Sequence, residues 1–213
     1  MFQTIFCDID GVIADFHLEA VRAHMRIGNR FALLDHHGTP LELSHQRLYS
    51  RWPPGMSCHR FCTGMVTEVE DLWSPEMDGF WRPIRSDPFF WQNMPALPWA
   101  KQLLKLLEGY CKEIVYVTTP DWTPDSHAGK LSWLAVQKMP QYEYITMKNK
   151  WRLARPNCLL IDDFEKHVER WQEKDCPALL FPQPWNEDHH FVGDRLGFVR
   201  KYLEDPTNDS EGV

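Results

Sequence analysis

The chain of 213 residues has no stretch approaching the 18 or so consecutive apolar residues of a membrane span, which excludes a transmembrane helix. Met1 to Cys7 lacks both the basic start and the long apolar region of a secretory signal, so none is expected. There is no Lys/Arg block. With 23 basic against 30 acidic side chains and a formal net charge of -7, a duplex or long single-stranded nucleic acid is disfavoured as partner. A mononucleotide, which needs only a few local positive charges, is not. The cysteines at 7, 58, 62, 111, 158 and 176 lack the spacing of a disulfide frame, and a reducing cytoplasm fits them best. Internal repeats and low-complexity tracts are also missing. What remains is 43% hydrophobic and 25% charged, enough for one substantial core and a smaller appended lobe.

Short apolar runs that end in polar residues punctuate the chain. Residues 3–7 deliver Asp8 and Asp10, residues 114–117 precede Thr118-Thr119-Pro120, residues 158–161 precede Asp162-Asp163, and residues 178–181 precede Pro182. Residues 142–146 form a weaker strand candidate ahead of Lys148, Lys150 and Arg152. Helical patterns fall between them, over residues 98–110, 129–139, 164–174 and 193–203. This alternation predicts an α/β fold, a three-layer Rossmann-like core with a mostly parallel sheet, whose ligands bind beyond the carboxyl ends of the strands. Residues 17–85 break the rhythm: a helix over 17–27, a stretch rich in His, Pro and Gly from Gly28 to Gly55, and a helix over 66–73. Placed after the first strand, with its return near Phe80 to Pro95, this insertion would form a largely helical cap over the strand ends. The expected division is 1–16 and 86–204 for the catalytic core, 17–85 for the cap and 205–213 for a solvated tail.

The chemistry concentrates at D8-I9-D10-G11-V12-I13-A14-D15-F16. A carboxylate is a poor nucleophile, but it accepts a phosphoryl group when a divalent cation and nearby donors neutralise the equatorial oxygens. Alternate positions on a strand point the same way, so a turn at Gly11 is needed for Asp10 to approach the leaving oxygen. A lone Asp-X-Asp-Gly is commonly a surface turn; the second strand-end pair, Asp162-Asp163, favours a catalytic reading.

The run DxDGVxADF resembles the first motif of the haloacid-dehalogenase-like phosphatases, and specifically of their 5'(3')-deoxyribonucleotidase branch. Thr118 after a strand, Lys130 in GKLSWL and Asp162-Asp163 after CLLI match the second to fourth motifs in order, over roughly residues 2–16 and 80–185. The resemblance implies magnesium-dependent phosphomonoester hydrolysis through an aspartyl-phosphate. Asp8 would be nucleophile and metal ligand. Asp10 would protonate the leaving alkoxide and then activate water, with its backbone carbonyl on the metal. Asp162 would be the third protein ligand and Asp163 its outer-shell partner. Thr118, with Thr119 beside it, would contact phosphoryl oxygens, and Lys130 would neutralise charge between the phosphate and Asp8. Lys130 alone could be a solvated helix residue and Lys138, Lys148 or Lys150 could serve instead, but the resemblance favours Lys130, near the start of the helix after the Thr118 strand.

The same resemblance implies aromatic contacts to a nucleotide base, for which Phe16, Phe90 and Trp91 are the candidates. The plainer reading, cap core, accounts for Trp52, Trp73, Phe80 and one of Phe89 and Phe90. Lys148 lies near a basic position facing the phosphate, against a reading as ordinary surface charge. Residues 31–65 depart from the compact cap of that branch, which leaves open a different small phosphomonoester, such as a sugar phosphate or modified nucleotide. Cys58, His59 and Cys62 with His36 and His37 lack the tight module of a structural zinc site, and His189-His190 reads as a solvated turn. A homodimer through the aromatic cap remains open.

Overall fold

The computed structural model describes residues 1–26, 49, 54–56 and 75–204. Five strands, β1 (Phe2–Asp8), β2 (Cys111–Thr118), β3 (Glu143–Thr146), β4 (Cys158–Asp162) and β5 (Ala178–Leu180), form one sheet in the order β3-β2-β1-β4-β5. Every pairing is parallel. Helices α1 (Phe16–Arg26), α2 (Pro75–Arg85) and α3 (Phe90–Asn93) lie between β1 and α4 (Ala100–Leu107), which leads into β2. They are followed by α5 (Pro124–Val136) between β2 and β3, α6 (Glu165–Gln172) between β4 and β5, and α7 (Arg195–Glu204). The expected Rossmann-like α/β core with a helical insertion after the first strand is what the chain builds.

Side-chain alternation along buried strands divides the core. Ile5, Cys7, Tyr116, Leu159 and Ile161 face one side, with Leu103, Leu104 and Leu107 of α4, Trp133 of α5 and Val199 of α7. Phe6, Val115, Val117, Cys158 and Leu160 face the other, against Val168 and Trp171 of α6. Right-handed crossovers demand this arrangement. The steps β1 to β2 and β2 to β3 run one way across the sheet, while β4 to β5 runs the other, so their helices cover opposite faces. The reversal falls between β1 and β4, where Cys7 pairs with Ile161, and in open parallel sheets the crevice beyond the carboxyl ends of the strands at such a reversal is where ligands bind.

The start of α5 differs most from its sequence limit. The α5 helix begins at Pro124 rather than near 129, because Thr123 caps it: its side-chain oxygen accepts from the Ser126 backbone N–H at 3.3 Å, and Pro124 occupies the first turn. The return segment contains α2 and α3, and α2 packs on α1. The expected helix over 66–73, the stretch 31–65 apart from residues 49 and 54–56, with its cysteines and histidines and Trp52, together with Trp73 and the tail 205–213, lie outside the described residues. Cys7, Cys111, Cys158 and Cys176 are buried thiols. Among the described residues no helix is long and apolar enough to cross a membrane.

Candidate active site

The end of β1 is shaped by a tight loop. Ile9 O accepts from the backbone N–H groups of Ile13 at 3.0 Å and Ala14 at 2.8 Å, and Gly11 N–H donates to Ala14 O at 2.9 Å. Gly11 sits at φ +77°, and a Cβ there would lie 2.1 Å from Asp163 Oδ2, so both the backbone conformation and the space require glycine. Gln183 Nε2 donates to Gly11 O, tying this loop to the segment after β5.

Asp8, Asp162 and Asp163 are all buried and bring carboxylate oxygens within 4.8 Å of one another at the β1/β4 crevice. Lys150, 1% exposed, bridges the first two, with Nζ 2.8 Å from Asp8 Oδ1 and 2.7 Å from Asp162 Oδ2. It opens the 3-10 turn Lys150–Leu153 between β3 and β4. His167 Nδ1 lies 3.0 Å from Asp162 Oδ2, and Asp8 Oδ1 also accepts from Ile9 N–H at 2.7 Å. Trp185 Nε1 donates to Asp163 Oδ2 at 2.8 Å.

Three carboxylates around one lysine are under-compensated. Burial pushes the Asp8 carboxyl up to about 7, against the pull of Lys150 and with the repulsion of Asp162 and Asp10. Burial, then Asp162 and Asp8, drive Asp163 well above the carboxylate range. Burial acts on Asp162 in the same sense, but Lys150 and His167 outweigh it and hold that carboxyl well below the range. Burial would lower Lys150, yet Asp162 and Asp8 raise it, so the lysine stays charged. A second positive charge would relieve the frustration, and three hard oxygen donors in this space suit a divalent cation. Asp163, expected as an outer-shell partner, stands in the cluster with Asp8 and Asp162.

A second group forms on the β2 side. Lys130, fully buried, donates to Asp10 Oδ2, to Thr118 Oγ1 at 2.8 Å and to Thr119 O at 3.1 Å, and its Nζ lies 4.6 Å from the centre of the Trp91 ring. Thr118 Oγ1 donates to Asp10 Oδ2 at 3.2 Å. Asp10 Oδ1 is buried and meets no hydrogen-bond partner among the described residues. Lys130 thus serves Asp10 and Thr118, and Lys150 is the lysine at Asp8.

Of the expected substrate contacts, Phe16 is half-buried, stacked on Trp91 with centroids 5.8 Å apart and edge-on to Phe90 at 5.6 Å. Phe90 is 0% and Trp91 3% exposed, and both pack in the core, leaving Phe16 with the larger free surface. Gly129 explains the tightness here: a Cβ on it would lie 2.6 Å from Trp91 Cβ. Thr119 is half-buried with Oγ1 3.5 Å from Met147 O, and Lys148 is exposed. Sequence reasoning left Trp185, His167 and Gln183 unnoticed, and named Lys150 only as one of several alternatives.

No protein-family model and no curated protein matches the chain. Among solved structures, a hydrolase from Streptococcus pneumoniae TIGR4 superposes with a TM-score of 0.54 at 13% identity, covering 95% of this chain and 98% of that one. An L-2-haloacid dehalogenase from Xanthobacter autotrophicus gives 0.49 at 12% identity over 96% and 88%, and a HAD-superfamily hydrolase from Geobacter sulfurreducens 0.48 at 15% over 92% and 97%. The first likeness is one of fold.

Proposed function

We propose that this chain is a phosphatase of the haloacid-dehalogenase-like superfamily, hydrolysing phosphomonoesters through an aspartyl-phosphate on Asp8. The observation that carries this reading is the buried Asp8, Asp162 and Asp163 cluster, bridged by Lys150 at the point where strand order reverses. Asp8, Asp162 and Asp163 would hold magnesium, and the Asp10 carbonyl is a fourth oxygen on the same loop. When bound, the ion neutralises equatorial phosphoryl oxygens. An Asp8 oxygen attacks phosphorus as the bond to the leaving oxygen breaks. Asp10, its Oδ2 held by Lys130 and Thr118, uses Oδ1 to give a proton to the departing alkoxide. Asp10 then takes a proton from water, which attacks phosphorus and breaks its bond to Asp8. Lys150 keeps Asp8 oriented, and the Thr118 hydroxyl helps to hold Asp10 Oδ2.

The more particular reading is a 5'(3')-deoxyribonucleotidase, supported by the DxDGVxADF run and by Phe16 beside the site. Burial of Phe90 and Trp91 favours keeping a second reading, a phosphatase for another small phosphomonoester, because both rings lack an open face for a base. Phosphate release from 5'- and 3'-(deoxy)nucleoside monophosphates and sugar phosphates, with magnesium and with chelator, tests both. Turnover abolished by chelator and by Asp8→Asn supports the class, and restriction to deoxynucleotides supports the branch. Magnesium-dependent turnover only of other esters replaces the branch, and turnover by Asp8→Asn overturns the mechanism.

A further inference from the structure

We infer that Trp185 is a positioning residue for the cation site: its indole N–H fixes the rotamer of Asp163, and His17 clamps the indole in place. The inference rests on the reading of Asp8, Asp162 and Asp163 as the metal-holding carboxylates.

The geometry is closed on every side. Asp163 Oδ2 accepts from Trp185 Nε1 at 2.8 Å. The same carboxylate lies flat against the Gly11 backbone, at a distance that a single added Cβ would violate. Asn186 Nδ2 donates to Asp163 O at 3.0 Å and to Phe181 O at 2.8 Å, fixing the backbone beneath it. One carboxylate oxygen is thereby committed to the indole, which leaves Oδ1 as the oxygen for a cation. A buried carboxylate flanked by two others would otherwise turn away from them, since like charges repel strongly where water is excluded. The indole supplies a donor at the one place that holds it facing its neighbours.

The indole is itself held. His17, on the first turn of α1, stacks on Trp185 with ring centroids 3.5 Å apart and planes 26° apart, and both rings are largely shielded. Tyr49, whose hydroxyl donates to Asp15 Oδ1 at 2.7 Å, approaches the same indole at 5.7 Å. Helix α1 is the element through which the chain leaves the catalytic loop for the inserted segment. A path of direct contacts therefore runs from that helix through His17 and Trp185 to Asp163. A shift of α1 relaxes the stack, frees the indole and loosens the carboxylate, so that cation affinity depends on the position of α1. Partners of this kind, which orient a ligand without touching the metal, commonly change affinity by about 10- to 100-fold when removed.

The test is isothermal titration with Mg2+ and Mn2+ on the full chain, alongside Mn2+ electron paramagnetic resonance. Trp185→Phe keeps a ring for His17 to stack on and removes only the N–H. His17→Ala keeps the N–H and removes the clamp. Melting in chelator establishes that each variant is folded; if one is not, the other decides. Cation affinity should fall about 10- to 100-fold in Trp185→Phe and by a smaller factor in His17→Ala. The double variant should lose no more than Trp185→Phe alone, because both act through one hydrogen bond. Wild-type affinity in either folded single variant overturns the inference. Failure of the wild-type chain to bind a divalent cation would instead overturn the metal reading beneath it.

Discussion

Replacing Lys150 by methionine removes the counter-charge that the apo site has at Asp8 and Asp162 while keeping similar bulk, so the packing term is small. Lys150 is 1% exposed, with its ammonium 2.8 Å from Asp8 and 2.7 Å from Asp162. Deleting one partner of a buried pair costs about 3–5 kcal/mol, chiefly because the remaining charge is left without compensation. Here three carboxylates remain, so the upper part of that range is expected at pH 8. The loss is smaller at pH 5, where protonation of the carboxylates offers an escape. The assay is urea unfolding in chelator, followed by tryptophan fluorescence, with Lys105→Met as control. Lys105 pairs with Glu108 at 2.9 Å but is 83% exposed, and a solvent-screened surface pair of that kind contributes little. Millimolar magnesium should recover part of the Lys150→Met loss by supplying charge to the same oxygens. Phosphatase turnover should fall by about 10²- to 10³-fold, the usual effect of removing a positioned electrostatic group. If the Lys150 variant is no less stable than the Lys105 control, the electrostatic account of this site is wrong.

Gly11→Ala should weaken both the fold and the cation site. Left-handed backbone costs a side chain about 1–2 kcal/mol, and the added Cβ meets Asp163 Oδ2 at 2.1 Å; scanning calorimetry with and without magnesium should show the larger drop in melting temperature with the ion. Lys130→Gln should slow an alkyl phosphate by about 10²-fold or more, because general acid catalysis is worth that much there, yet change p-nitrophenyl phosphate turnover little, since that leaving group needs no proton. Equal losses on the two esters would mean that Lys130 acts on phosphate rather than through Asp10. Burial lowers His17 to about 4, against its ordinary 6.5, so the folded state prefers the neutral ring. Its contribution is fully present above pH 6.5 and is lost as pH falls from there toward 4, amounting to about 2 kcal/mol at pH 5. Between pH 7 and 5 the urea midpoint of the chelated wild-type protein should fall relative to that of His17→Gln by this amount; the comparison cancels the opposite effect of the Asp8 and Asp163 carboxyls, which burial raises and which gain protons over the same range in both chains.

The core was legible because its strands are short, apolar and end in chemistry. Four of them declared themselves this way; β3 was weaker because it is an edge strand, half-buried along its length, with Glu143 exposed. The start of α5 was read late because the decisive signal is the Thr123 cap followed by Pro124, not the apolar periodicity that begins further on. The carboxylates could be found from spacing, whereas the lysines could not be told apart. Which ammonium reaches Asp8 depends on the 3-10 turn at Lys150–Leu153, and a single basic residue before a turn looks like surface charge. Trp185 and Gln183 sit in a Pro-rich connection after β5 with no periodicity to mark them. Several tryptophans staple loops through indole N–H groups: Trp99 to Val12 O at 3.0 Å, Trp133 to Met94 O at 2.6 Å and Trp185 to Asp163. For these three, anchoring a loop accounts for the tryptophan better than base stacking does.

The two buried lysines divide the site laterally, and this division constrains how a substrate sits. Lys150 and Asp162 arrive from the β4 side of β1 and serve Asp8, the proposed nucleophile. Lys130 and Thr118 arrive from the β2 side and serve Asp10, the proposed proton donor. A phosphoryl group in line with Asp8 must then direct its leaving oxygen toward Asp10 Oδ1, on the side where Lys130 lies under Trp91 and Trp91 under Phe16. Neither lysine can replace the other, because one is anchored in α5 and the other in the β3–β4 connection, on different elements. On the proposed mechanism the leaving group would be read on the Phe16 side. Changes that redirect substrate choice should fall on Phe16 and its surroundings, leaving the Asp8, Lys150 and Asp162 arrangement, and with it the reaction class, unaltered.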